Sequence, residues 1–262
     1  MAGAETTKKS NRRSPSLTTQ TAAARLLTIR RLATPSVSRG GQRRAAKRLN
    51  RDTERPELDA QQELVKLFET AGAIRKGHFE LSSGLHSSMY VQCAQVLQYP
   101  RFAEKLGHAL AGLFANDRIE AVVSPAMGGL IIGQEVARAL PEPAGSIGGG
   151  TPALFVERDA SGNMTMRRGF QLKPGQRVLV IEDVWTTGGS TLEAINVVEE
   201  AGGCVVAAGA LIDRSGGKIE FPVESQALLD LPIASYQPED CPLCREGSAA
   251  VKPGSRFVRS AS

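Results

Sequence analysis

Val178-Leu-Val-Ile-Glu-Asp-Val-Trp-Thr-Thr-Gly-Gly-Ser-Thr191 runs four apolar residues into two adjacent acids and then into a short stretch of hydroxyl and glycine residues. Arg177 to Ile181 reads as a buried strand and Glu182 to Ser190 as a loop. Thr191 to Ala201, with Leu192, Ile195 and Val198 at helical spacing, reads as an amphipathic helix. The loop has a chemical use. Backbone N–H groups from Thr187 to Thr191, opened by two glycines at a helix N-terminus, make a cradle for a phosphate. Glu182 and Asp183 at the strand end are acceptors one step away, where the hydroxyls of a phosphorylated sugar would lie. Gly188-Gly189 alone is satisfied by an ordinary strand-to-helix turn, but that reading leaves the acid pair and the hydroxyl run unexplained. The stretch lacks the lysine of a P-loop, and no G-x-G-x-x-G follows a strand, so neither a P-loop nucleotidase nor a dinucleotide site is supported.

The same strand, turn and helix unit recurs on either side. Glu120 to Ser124 is a strand, Pro125 to Gly129 a turn and Leu130 to Leu140 a helix; Thr151 to Glu157 and Val205 to Ile212 are further strands. Arg158 to Gly169 is polar and reads as an exposed loop or flexible hairpin. Upstream, Glu57 to Ala73 is a helix with Leu64, Leu67, Phe68 and Ala71 inward, Gly77 to Cys93 is extended, and Arg101 to Phe114 is a second helix. Strands alternating with helices need crossover connections, so the fold class is α/β with a mostly parallel central sheet flanked by helices, and ligands sit at the carboxyl ends of its strands. No repeat of solenoid period occurs.

Residues 1 to 50 hold twelve Lys/Arg, one acid (Glu5), twelve Ser/Thr and no aromatic, a composition that builds no core. Residues 1–55 are therefore expected to be a basic, disordered extension and 56–262 the folded domain. The chain's net charge of +5 belongs to that extension: the remainder carries 20 basic and 26 acidic residues, so nucleic acid is not an expected partner. No apolar run is long enough for a membrane span. Four cysteines without a signal peptide point to a reducing compartment, and the cytoplasm is expected; an arginine-rich, acid-poor N-terminus is also how an organellar transit peptide reads.

Ile181 to Thr191 resembles the phosphoribosyl-pyrophosphate motif of type I phosphoribosyltransferases. Gly77-His-Phe-Glu-Leu-Ser-Ser-Gly-Leu-His-Ser-Ser-Met-Tyr90, Ser124-Pro-Ala-Met-Gly-Gly129 and Leu211-Ile-Asp-Arg214 narrow the resemblance to the orotate phosphoribosyltransferases, over residues 57 to 257. The resemblance implies the type I fold with a small N-terminal hood. It implies a phosphoribosyl-pyrophosphate site made by Glu182, Asp183, Val184, Trp185, Thr186, Thr187, Gly188, Gly189 and Ser190, with Met127 and Gly128 in a pyrophosphate loop. Within it Glu182 and Asp183 would take the ribose hydroxyls, and Thr186 to Ser190 the 5′-phosphate. Orotate would meet Arg214, Thr186 and Tyr90, with Phe79 in the covering segment; an arginine's planar fork suits a carboxylate. Magnesium would arrive on the substrate rather than on protein ligands, and a homodimer would share its catalytic loop between subunits.

The sequence departs from the best-known members. Ser82 and Gly128 stand where those place lysines, and the loop Phe155 to Gly169 has neither lysine nor histidine. Arg158, Arg167 and Arg168 are its only cations, and Arg158 is expected to neutralise the departing pyrophosphate while the other two anchor the hairpin. Cys241-Pro-Leu-Cys244 is half a zinc site with no second pair after it, and is read as a plain C-terminal turn. His78, His86 and His108 show no ligand spacing. Two rival functions share the phosphate loop: a phosphoribosyltransferase for purines, and a regulator that senses phosphoribosyl pyrophosphate and binds nucleic acid through the basic extension.

Overall fold

The structure is a computed structural model that describes residues 61–81 and 83–253. The basic extension, the expected boundary at residues 55 and 56 and the start of the first expected helix lie outside the described residues. A helix α1 over 61–70 precedes a hairpin of β1 (Ile74–Glu80) and β2 (His86–Val91) and the helices α2 (Ala94–Leu97) and α3 (Pro100–Leu113). Then come β3 (Ala121–Pro125), α4 (Gly129–Ala139), β4 (Ala153–Arg158), β5 (Met164–Thr165), β6 (Arg177–Trp185), α5 (Gly189–Glu200), β7 (Cys204–Asp213), β8 (Glu224–Asp230), β9 (Ser235–Tyr236) and α6 (Pro242–Arg245).

Six strands form the central sheet in the order β5-β4-β3-β6-β7-β8, parallel throughout except for the β4–β5 hairpin. β6 lies inside it and is apolar on both faces because both are covered. Leu179 and Ile181 face one core with Phe68 of α1, Leu106 and Leu110 of α3, and Ile132 and Val136 of α4. Val178 and Val180 point the other way, onto Ile195 and Val198 of α5. A smaller antiparallel sheet, β1-β2-β9, forms the hood. The expected α/β class and parallel sheet are what the chain adopts, and the expected helices over 101–114, 130–140 and 191–201 appear within two residues of their predicted ends.

Three readings change. Strand β6 runs four residues past Ile181, because its pairing with β7 continues through Val184↔Ile212 and Trp185↔Asp213; the acid pair therefore sits on the strand, not in a loop. The single extended segment 77–93 is a hairpin, bent back between Glu80 and His86. The strands β8 and β9 and helix α6 were not foreseen: β8 is an edge strand that starts with the exposed Glu224 and Ser225, so it lacks the apolar pattern of its neighbours.

Candidate active site

The turn from β6 to α5 needs glycine for two reasons. Gly188 caps the helix at φ +75°, and a Cβ there would stand 2.7 Å from Ile219 Cγ2 and 3.1 Å from Phe221 Cζ. No side chain caps α5, which leaves the N–H groups of its first turn open to a ligand beside the exposed Thr186, Thr187, Gly189 and Ser190. Trp185 packs at the base of this turn. Its indole is buried, donates from Nε1 to Thr191 Oγ1 at 3.1 Å and packs on Phe221, so its side chain holds the base of the turn and does not face a phosphate. Val184 likewise packs toward the core.

Glu182 is buried and Asp183 half-buried behind that turn. Burial, then the neighbouring Asp183 carboxylate, pushes Glu182 up to about 9; burial raises Asp183 as well. No basic side chain offsets either carboxylate among the described residues. The pair thus falls short of double ionisation at neutral pH and favours neutral donors or incoming positive charge. The β3–α4 turn closes on it: a Cβ at Gly128 would lie 2.5 Å from Asp183 Oδ1. The expected family lysine is therefore sterically excluded while Asp183 keeps this position. Met127, its neighbour, is 79% exposed. The buried Cys93 thiol donates to the Asp183 carbonyl at 3.7 Å, and burial keeps it protonated, so it packs and does not attack.

Beyond the cradle lies a cleft of about 1080 Å³ lined by Leu85, Tyr90, Thr186, Thr187, Arg214 and Lys218, among others. Arg214 follows β7 and is fixed by its backbone N–H donating to the Trp185 carbonyl at 2.9 Å. Its side chain is half-buried, and its buried Nε has no hydrogen-bond partner among the described residues. Desolvation without a paired carboxylate draws its pKa down. Phe79, placed by the sequence in the covering segment, is buried against Tyr90, with ring centroids 5.8 Å apart. Lys218 was missed; its signal is Ser215-Gly216-Gly217-Lys218 directly after Arg214, a glycine-rich approach of a cation to the same cleft.

The loop arginines are engaged. Arg158 pairs with Glu193 of α5 at 2.7 Å and donates to the Gly162 carbonyl at 2.7 Å, so it lies against the cradle helix rather than free in the cleft. Arg167 and Arg168 both hold Glu157, at 3.1 and 2.9 Å, and fasten the β4–β5 hairpin as anchors.

The reading of the cysteines and histidines needs correction. His78 and His86 meet Cys241 and Cys244 in one cluster, while His108 is exposed on α3 and bonds the Glu104 carbonyl. Spacing along the chain concealed this because β1 and β2 pair Glu80 with His86, which makes His78 the diagonal neighbour of His86, and α6 arrives from the far end of the chain.

The phosphoribosyl transferase domain family matches residues 92–220. The orotate phosphoribosyltransferase of Pelotomaculum thermopropionicum is 51% identical over 196 residues, 75% of this chain and 98% of that protein. The Thermotoga maritima orotate phosphoribosyltransferase is 49% identical over 196 residues, 75% of this chain and all of its own. In structure, the chain resembles the orotate phosphoribosyltransferase of Mycobacterium tuberculosis, with a TM-score of 0.53 and 25% identity over 66% of this chain and 97% of that one.

Proposed function

The chain belongs to the orotate phosphoribosyltransferases, and from that premise we propose how its own side chains carry the reaction. It transfers the 5-phosphoribosyl group of phosphoribosyl pyrophosphate to N1 of orotate, releasing pyrophosphate and forming orotidine 5′-phosphate in pyrimidine biosynthesis. Breaking the anomeric C–O bond leaves positive charge on the ribose and negative charge on pyrophosphate. Glu182 and Asp183 accept hydrogen bonds from the ribose 2′- and 3′-hydroxyls, and their partial negative charge lies where the sugar turns positive. The open N–H groups at the start of α5, with the hydroxyls of Thr186, Thr187 and Ser190, hold the 5′-phosphate. The Pro125–Gly129 turn receives the pyrophosphate, and Arg158 neutralises it once it leaves Glu193.

The site fits magnesium carried by the substrate: the acid pair is buried without a basic partner and can take hydroxyls that a cation polarises. Bound magnesium supplies positive charge against the departing pyrophosphate. Arg214 grips the orotate carboxylate as a fork, Thr186 lies beside the ring, and Tyr90 forms its wall. A homodimer whose 158–169 loop enters the neighbouring site is the assembly the resemblance implies, and the cytoplasm its place; among the described residues no helix is long and apolar enough to cross a membrane.

Arg214, whose Nε has no hydrogen-bond partner among the described residues and which lines the cleft shared with Thr186 and Thr187, carries this reading. A turnover assay offering orotate, uracil, adenine and hypoxanthine tests it. Orotate alone should be consumed, since uracil lacks the carboxylate; equal use of uracil would remove Arg214 from the base site, and use of a purine would overturn the acceptor.

A further inference from the structure

The cluster in the hood has the geometry of a metal centre. His78 Nε2 lies 3.0 Å from His86 Nδ1, 3.4 Å from Cys241 Sγ and 3.7 Å from Cys244 Sγ, while Cys244 Sγ is 3.2 Å from His86 Nδ1. All four ligand atoms fall within 4.8 Å of one another. A tetrahedral ion with Zn–S of about 2.3 Å and Zn–N of about 2.0 Å sets its ligand atoms about 3.3–3.8 Å apart. The nitrogens and sulfurs are therefore already close to a tetrahedron's edges. The second nitrogen of His78, Nδ1, lies 3.0 Å from the Ser248 carbonyl, which accepts its proton and leaves the Nε2 lone pair facing the cluster. Cys241 is fully buried and His78 nearly so.

We propose that His78, His86, Cys241 and Cys244 form a structural zinc site that ties the C-terminal segment to the β1–β2 hairpin. Two thiolates and two neutral imidazoles suit zinc in both softness and shape, and disfavour magnesium or calcium, which take oxygen ligands. Two thiolates also cancel the ion's double positive charge, so the centre is neutral where it is buried. Four protein ligands complete the tetrahedron and leave no position for water, so the site stabilises and does not catalyse. Its place explains what it stabilises. The two histidines flank the hairpin tip that gives Leu81, Ser83 and Leu85 to the cleft, and Lys252, just beyond α6, pairs with Glu80 at 2.7 Å. The ion would fasten the acceptor-side wall from behind, at a site separate from the substrate's magnesium.

Metal analysis of the full-length protein tests this, using protein made without a metal-affinity tag, exposed to zinc and dialysed against metal-free buffer. About one zinc per chain should remain, falling to background in the Cys241→Ser, Cys244→Ser double variant and staying at about one in Cys204→Ser, whose thiol is exposed elsewhere. Should the double variant not fold, the wild-type chain still decides. Titration with an organomercurial should release zinc as the thiols are consumed, and cobalt exchange should give the intense visible bands of tetrahedral thiolate cobalt. A wild-type chain that retains no zinc, holds Cys241 and Cys244 as a disulfide after reducing purification, or gives only the faint spectrum of octahedral cobalt would overturn the proposal.

Discussion

The two ends of the cleft are built in opposite ways. The end proposed for the phosphate comes from one uninterrupted stretch, Glu182 to Thr191, with Gly128 pressed against Asp183 and Ile219 and Phe221 against Gly188. The acceptor end is assembled from β1, β2, the residues after β7 and the C-terminal segment. One end is a local device that needs only the sheet to hold it, whereas the other exists only when distant parts of the chain meet.

If that contrast holds, the largest single loss should come from the compact end. Asp183→Asn should lower kcat by about 10²-fold or more, as for a lost transition-state contact, with the far-ultraviolet circular dichroism unchanged. Wild-type turnover in this variant would move the ribose elsewhere. At the assembled end, Arg214→Ala should raise KM for orotate and reduce kcat/KM by about 10- to 100-fold, the scale of a charged hydrogen bond, with KM for phosphoribosyl pyrophosphate little changed. Equal damage to both substrates' KM would mean that the two ends do not act separately.

A smaller effect, about tenfold in kcat, is expected for Arg158→Ala, because the guanidinium it loses is half exposed and engaged with Glu193. Mixing that variant with Asp183→Asn protein should return up to about a quarter of the wild-type rate through hybrid dimers, if subunits exchange at random. No recovery despite proven exchange would confine the loop to its own subunit.

The smallest effect is on stability. Glu182 titrates near 9 in the folded chain against an ordinary 4.5, so above 4.5 the folded state binds more protons than the unfolded one and loses stability as pH rises toward 9. Glu182→Gln removes that penalty. Its Tm should match the wild type near about pH 5 and exceed it by a few degrees near about pH 8.5. A constant difference at both pH values would mean that Glu182 is not the group responsible.

Legibility followed the same division. The phosphate cradle could be read directly because strand, acids, glycines and helix start are adjacent in the chain, and each has a local physical reason. How Trp185 sits inside that stretch is not local, since the pairing of β6 with β7 extends the strand and the indole is turned inward onto Thr191. Phe79 and Tyr90 shared one covering segment in the sequence, but the hairpin sends one ring into the core and leaves the other on the cleft. His78, His86, Cys241 and Cys244 stayed invisible as a set: their partnership depends on a hairpin register and on a helix 158 to 166 positions away, neither of which has a local signature. Arg214 was legible through the family motif around it, whereas its lack of a partner is a property of the folded surroundings alone.

The hood's third strand carries a consequence for synthesis. Ser87 of β2 gives its hydroxyl to the carbonyl of Ala234, 147 positions later, and Glu80 waits for Val251. At a ribosomal pace of about 5–20 residues per second, the first two strands spend roughly 7–30 s without their partner. The parallel sheet can gather meanwhile, strand by strand, as each crossover emerges. A chain that ended just after β7 would already carry Glu182 and Asp183 on β6 and Arg214 next to β7, while the C-terminal segment that completes the acceptor-side wall would still be missing.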